Sequence, residues 1–200
     1  VEKIKIELQD FPFEHELIVN SENKGFAGGH NQLYESCESD YFLIINQDLY
    51  LNNDCIEKMV KFMDEHEDAA ALAPRTMKWE HEFLNTNQHE SIEKSFTDQI
   101  DSLGLKVLRN RRVVELHTGE LWSTCKLKNL KTYALSVFGV SGAIVLFRKK
   151  AIDDVGFFDV SFQSYKEDVD LAFRLNSAGW ESFVLYDAVA YHDRSAAGPK

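Results

Sequence analysis

The sequence predicts an α/β fold: a mainly parallel, Rossmann-like sheet with helices on its faces. Two observations carry that reading. Five short apolar runs, His15 to Asn20, Tyr41 to Asn46, Ala69 to Pro74, Gly142 to Phe147 and Ser182 to His192, are strand-like, and several are apolar at nearly every position. Continuous runs of that kind belong to strands covered on both faces. Helical patterns fall between them, and strands alternating with helices favour a parallel sheet.

Taken in order, the first run "HELIVN" is followed by "NKGFAGGHNQ", Asn23 to Gln32, with Gly25, Gly28 and Gly29 inside five positions. Such a cluster costs conformational entropy, so it marks either a tight turn entering a helix or a loop shaped to a ligand. After the second run, Asp54 to His66 places Ile56, Met59, Val60 and Met63 on one helical stripe, and Asp54 with Glu57 has capping-box spacing. From Met77 to Tyr133 the chain turns polar and weakly periodic. Within it "NTNQHESIEKS" reads as a solvated loop or helix and "GLKVLRNRRVVELHTGEL" as a hairpin. An insertion at about 77–133 within a single domain, 1–200, accounts for this better than a second domain. A later helix starts near Glu167, buries Val169, Ala172, Phe173 and Leu175, and stops at Gly179.

Composition narrows the function. The chain has 200 residues, 44% hydrophobic, and a formal net charge of −11. That is enough apolar material for one core, and the charge argues against a nucleic-acid partner. Cys37, Cys55 and Cys125 are odd in number and lack CxxC spacing, so neither a disulfide framework nor a zinc site is indicated and a reducing, cytoplasmic setting fits. No apolar run reaches the roughly 18 residues of a membrane span, and the first residues do not form a signal peptide.

In open α/β sheets, ligands bind beyond the carboxyl ends of the strands. Asp48 follows the run "YFLIIN", Glu167 and Asp168 open a helix in "KEDVDLAFRL", and His192 ends the last run in "YHD". Each alone is as well explained by a turn, by the helix dipole or by a surface histidine. Together they collect carboxylates and an imidazole on one side of the sheet. That set suits Mn²⁺ or Mg²⁺ bound with substrate phosphates, and the acid pair adds a base, because neighbouring carboxylates raise each other's pKa.

The stretches "ENKGFAGGHN", "LIINQDLYL", "DSLGL" with "GEL", "VFGVSGAIVLFRKKAIDDVGFFDVSF", "YKEDVDLAFRLNSAGW" and "AVAYHDRSA" follow one another here. In content and order they resemble family 2 glycosyltransferases of the GT-A fold, and most of all bacterial rhamnosyltransferase-like members that build cell-surface polysaccharides. The resemblance implies a donor site from Asn23, Gly25, Gly28, Gly29 and Asn31, with Asn46, Gly142 and Ala143 beside the sugar. It implies Asp48 and His192 as ligands of Mn²⁺ or Mg²⁺, Asn46 standing where the family carries the first acid of its metal motif. Asp168 matches the catalytic base and Glu167 is its neighbour.

The implied reaction is inverting transfer of a hexose, rhamnose-like or other, from a nucleotide-sugar donor to a glycan or lipid-linked acceptor. Work on such acceptors leaves room for peripheral association with the inner face of the cell membrane. The alternatives are a degenerate GT-A domain that binds a glycan or partner without turnover, and a nucleotidyltransferase, for which no basic pyrophosphate loop is visible. The family begins with a strand, a helix and a second strand that contact the nucleoside. Here almost nothing precedes "HELIVN", so the fold is expected to be N-terminally incomplete and the nucleotide is unreadable. With those strands absent, His15–Asn20 and Tyr41–Asn46 should not pair, leaving an open edge beside the latter that invites association.

Overall fold

The computed structural model describes residues 2–81, 91–129, 132–162 and 165–194. Asn85 to Glu90, the first part of the "NTNQHESIEKS" stretch, lie outside the described residues, and Ser91 to Ser95 lead through a 3₁₀ turn. An exposed helix, α1 (Glu2–Leu8), opens the chain. Residues 14–20 are then irregular, with Val19 55% exposed. The expected strand at His15–Asn20 does not form: apolar residues favour a strand only where a neighbouring ladder takes up their backbone groups, and none of the described strands pairs with them.

Of the two readings of the glycine-rich stretch, the tight turn entering a helix is the one that forms. The helix is α2 (Gly25–Tyr34). Gly25 takes φ +68°, a left-handed value that favours glycine, and donates its N–H to the Asn23 side chain at 2.9 Å. Phe26 and Ala27 then pack inward, which offsets the poor helix propensity of the two glycines that follow.

The main sheet contains β1 (Tyr41–Ile45), β2 (Leu49–Leu51), β3 (Ala69–Trp79), β4 (Phe96–Ser102), β7 (Ala134–Val137), β8 (Ile144–Arg148) and β9 (Glu181–His192). A separate hairpin pairs β5 (Leu105–Val107) with β6 (Val113–Glu115), as the sequence predicts. The central path runs β1-β8-β3-β9-β2, with β4 added to β3 and β7 to β9. Among the described residues only β3 and β9 pair in parallel; every other ladder is antiparallel. The sheet is therefore mixed, not mainly parallel. Although β1, β3 and β9 all run the same way, β8 inserts between β1 and β3 in the reverse sense, and β2, β4 and β7 join antiparallel to their neighbours. Among the described residues β1 pairs with β8 alone, so its outer edge is open, as expected.

Both faces of the sheet are covered, which explains the continuous apolar runs. On one face α3 (Cys55–Glu65) seats Cys55, Met59, Phe62 and Met63 against Leu72, Leu146 and Leu185. On the other, α2, α4 (Lys149–Val155) and α5 (Glu167–Ser177) pack on Val145, Phe147 and Val184. Two helix faces are rotated from the expected ones. Ile56 is 46% exposed while Phe62 is buried, and Phe173 is 46% exposed while Leu171 is buried with Ala172 and Leu175. Val60 and Val169 are half-buried. Asp54 does not cap α3; its carboxylate pairs with Lys58 at 2.8 Å instead, one turn along. The far end of α3 is closed by Arg148, whose guanidinium donates to the carbonyls of Met63 and His66 at 2.7 and 2.9 Å. Helix α5 ends before Gly179 at φ +88°, as expected. No helix among the described residues is long and apolar enough to cross a membrane.

Gly139, between β7 and β8, sets the distance of α5 from the sheet. A Cβ built there would lie 2.5 Å from the Ala172 Cβ. Gly139→Ala is therefore expected to destabilise the chain by about 1–3 kcal/mol, the usual cost of overpacking. Urea denaturation of the variant and the parent measures it; an unchanged midpoint would show that α5 is not seated this closely.

Candidate active site

Four chain segments end around one cleft of about 560 Å³, a size typical of small-molecule sites. The turn after β1 supplies Asn46 and Asp48, and the entry to β8 supplies Ser141, Gly142 and Ala143. The start of α5 supplies Glu167 and Asp168, and the end of β9 supplies His192 and Arg194. Phe26 from α2 and Val113, Val114 and Glu115 from β6 complete the wall. The sequence-predicted residues Asn46, Asp48, Gly142, Ala143, Glu167, Asp168 and His192 thus share one cavity. Gly25 and Gly29 line a neighbouring groove with Phe26 and His30, and Phe26 borders both. Asn23, Gly28 and Asn31 line neither: Asn23 serves the turn into α2, and the Asn31 amide donates to the Phe158 carbonyl at 2.7 Å as a strut.

The acid pair opens α5 after Tyr165 and Lys166, two non-glycine residues at φ +70° and +81°. Left-handed backbone of this kind costs on the order of 1–3 kcal/mol per residue and collects at functional sites. It delivers Glu167 inward, 6% exposed, with Oε2 lacking a hydrogen-bond partner. Burial pushes the Glu167 carboxyl above its ordinary range; its own backbone N–H works against the rise, and the neighbouring Asp168 charge adds to it. Asp168 is held differently. Its Oδ1 accepts from the Val169 N–H at 2.8 Å and its Oδ2 from the Gly142 N–H at 3.4 Å, so its carboxylate is fixed beside the β8 entry.

At the other wall His192 stands between two carboxylates. Its Nδ1–H donates to Asp101 Oδ2 at 2.9 Å, and its Nε2 faces Asp48 Oδ1 at 3.5 Å. Asp48 Oδ1 is buried without a hydrogen-bond partner. Arg194 grips Asp101 through Nε at 2.7 Å and Nη2 at 3.2 Å, and reaches Glu115 of β6 at 2.6 Å. A partnerless buried carboxylate oxygen beside an imidazole nitrogen is the hard, mixed O/N donor set that Mn²⁺ or Mg²⁺ accepts, so these residues fit such an ion. Sequence reasoning missed Asp101, Glu115 and Arg194. Their signals were present, Asp101 opening "DSLGL" and Arg194 closing "HDR", but nothing local ties them to His192.

A second group of potential ligands, His117, Glu120 and Cys125, brings its donor atoms within 4.8 Å of one another outside the cleft lining. The reading of the cysteines did not anticipate it. All three cysteines are free.

The fold and the cleft define a GT-A glycosyltransferase scaffold. Crystal structures with which the chain aligns over 96% of its length include GalNAc-T7 with UDP, GalNAc and Mn²⁺, at a TM-score of 0.72 and 8% identity over 35% of that chain. The mannosyltransferase PcManGT from Pyrobaculum calidifontis, in complex with GDP-Man and Mn²⁺, aligns at 0.59 with 13% identity over 43% of that chain. S. aureus TarS 1-349 aligns at 0.54 with 14% identity over 47%. The sequence model of Glycosyl transferase family 2 matches residues 2–156, and the chain belongs to that family. An N-acetylglucosaminyl-diphospho-decaprenol L-rhamnosyltransferase of Mycobacterium tuberculosis is 36% identical over 75 residues, 37% of this chain and 24% of the relative. The chain thus spans less than half of each of these proteins.

The Glu167 environment carries a pH signature. Between its ordinary value of 4.5 and the raised native one, the folded chain binds that proton more tightly than the unfolded chain, so stability falls as pH rises through the window. Glu167→Gln stays neutral and lacks this fall. Its stability relative to the parent should rise with pH across the window, read by denaturation at a series of pH values; parallel profiles would contradict the assignment.

Proposed function

We propose that the chain carries the catalytic site of a metal-dependent, inverting glycosyltransferase. It would transfer a hexose, rhamnose-like or other, from a nucleotide-sugar to a hydroxyl of a glycan or lipid-linked acceptor in cell-surface polysaccharide synthesis. The observation that carries this reading is the meeting of Asp48 with His192 on one side of a cleft whose other side presents Glu167 and Asp168. Support for the donor class comes from the nucleotide and Mn²⁺ in the GalNAc-T7 and PcManGT structures, and for the sugar and acceptor from the name of the mycobacterial relative.

Asp48 and His192 would hold Mn²⁺ or Mg²⁺, which supplies positive charge for the departing diphosphate. Asp168 takes the proton from the acceptor hydroxyl as that oxygen attacks the anomeric carbon. Its two backbone hydrogen bonds keep the carboxylate aimed while leaving lone pairs for that proton. One displacement on the face opposite the leaving group inverts the anomeric centre. Glu167, buried beside the base, has its carboxyl pushed above the ordinary range by that burial. Gly25 and Gly29 leave the α2 backbone open along the groove that adjoins the cleft, where the donor's nucleoside end would extend, with Asn23, Gly28 and Asn31 shaping that helix. Peripheral association with the inner face of the membrane follows from a lipid-linked acceptor.

The test is a pair of variants in the complete enzyme. Asp168→Asn should preserve donor binding, measured by calorimetry, and cut turnover by roughly 10² or more, since an amide cannot take up the proton. Asp48→Ala should abolish metal-assisted nucleotide binding. Full turnover in Asp168→Asn would remove the base assignment, and binding without turnover in the parent, across a panel of nucleotide-sugars, would favour the glycan-binding alternative.

A further inference from the structure

Asp101 is as inaccessible as Glu167, at 6% exposure, but both of its oxygens are already engaged. Oδ1 accepts from Arg194 Nε at 2.7 Å; Oδ2 accepts from His192 Nδ1 at 2.9 Å and from Arg194 Nη2 at 3.2 Å. It cannot turn to the cleft without abandoning these bonds. Its position is fixed from behind as well. It lies near the end of β4, paired to β3, and its carbonyl accepts from the Thr118 hydroxyl at 2.9 Å. The loop after β6 closes on its neighbour, with Gly119 N–H donating to the Ile100 carbonyl and Ile100 N–H to the Glu120 carbonyl, each at 2.8 Å.

We propose that Asp101 is a positioning residue: it fixes His192 with the proton on Nδ1, so that Nε2 presents a bare lone pair toward Asp48. The inference rests on the Asp48 and His192 site described above and goes beyond it. A carboxylate accepts hydrogen bonds only, so the ring nitrogen facing Asp101 must carry a proton. In the neutral ring that leaves Nε2 without one, 3.5 Å from the partnerless Asp48 Oδ1. Two lone pairs face each other across that gap, an arrangement that a cation relieves. Outer carboxylates that orient ligating histidines typically change metal affinity 10- to 100-fold when altered. Arg194 has a supporting part: its guanidinium donates to both Asp101 oxygens, and its bond to Glu115 ties the β5–β6 hairpin to the same point.

The test uses Asp101→Asn, Asp48→Asn and Thr118→Val, the last perturbing the same strand and loop without touching the carboxylate. The ¹⁵N shifts of His192 at mildly alkaline pH report the proton: the parent should show Nδ1–H with bare Nε2. In Asp101→Asn the amide can donate to Nδ1, so the Nε2–H form should appear. Titration of Mn²⁺ alone, followed by the loss of its free-ion electron paramagnetic resonance signal, should show roughly 10- to 100-fold weaker binding in Asp101→Asn and near-parental binding in Thr118→Val. Near-parental thermal melting of Asp101→Asn separates misorientation from unfolding. If that variant melts early, Thr118→Val carries the comparison: weakened Mn²⁺ binding there would count against the proposal.

Three results overturn the proposal. They are an Nε2–H tautomer or a doubly protonated ring in the parent, an unchanged tautomer in Asp101→Asn, or Mn²⁺ affinity that survives in Asp101→Asn while being lost in Asp48→Asn. Parental Mn²⁺ affinity in Asp48→Asn would instead remove the metal reading itself, and the tautomer would still decide the role of Asp101.

Discussion

The parallel pairing of β3 with β9 is the constraint on which the site depends. Its ladder runs from Ala69 beside Glu181 to Lys78 beside His192, with a break where Pro74 pairs with Leu185 but Arg75 pairs with Val189. Proline has no N–H to donate, and at this break the Arg75 guanidinium donates to the Tyr186 carbonyl at 3.0 Å. The break divides the outer edge of β9 between two partners. Before it, Ser182 to Leu185 pair with β7; after it, Ala190 to His192 pair with β2. Because β2 directly follows Asp48, the register that seats Leu49 opposite His192 also brings Asp48 to the imidazole. On the other side, β3 carries β4, and β4 carries Asp101. A single strand pair therefore fixes both carboxylates that flank His192.

Charge then decides what this geometry is for. The chain carries a net −11, and the cleft concentrates Asp48, Glu115, Glu167 and Asp168 in a partly dry space. Like charges held together in low dielectric repel strongly. The fold relieves this in three ways: Glu167 is pushed toward its neutral form, Asp168 receives two backbone N–H bonds, and Asp101 and Glu115 share Arg194. Asp48 Oδ1 receives no comparable relief, and it is the atom beside His192 Nε2. Glu167 Oε2 is also without a partner, but only Asp48 Oδ1 faces an imidazole nitrogen, and the proposed function places its cation there.

Much of this was legible along the chain. Asp48 and His192 sit just past or at the end of a strand and Glu167 and Asp168 open a helix, and the rule that ligands gather beyond strand ends brought them together without coordinates. What escaped depends on partners distant in sequence. Asp101 lies in a polar stretch with no period, and only the β3–β4 ladder shows that it meets a residue 91 positions away. The His15–Asn20 run has the composition of a strand, yet composition cannot supply the ladder that a strand requires. Reversal of β8 was equally hidden, since an apolar run has the same pattern in either direction. The glycine stretch left two readings open, and the turn entering a helix is the one that forms: glycine is a poor helix former, but the Asn23 turn and the packing of Phe26 and Ala27 outweigh that preference.

The central claim is that strand geometry builds one cation site between Asp48 and His192, backed by Asp101. Anomalous diffraction at the manganese edge, from crystals grown with Mn²⁺ and UDP, tests it most directly. The account predicts the peak in the cleft, within bonding distance of Asp48 Oδ1 and His192 Nε2, with Asp101 still hydrogen-bonded to Nδ1. A peak only at His117, Glu120 and Cys125, or a cleft that binds UDP with no manganese in it, would contradict the account.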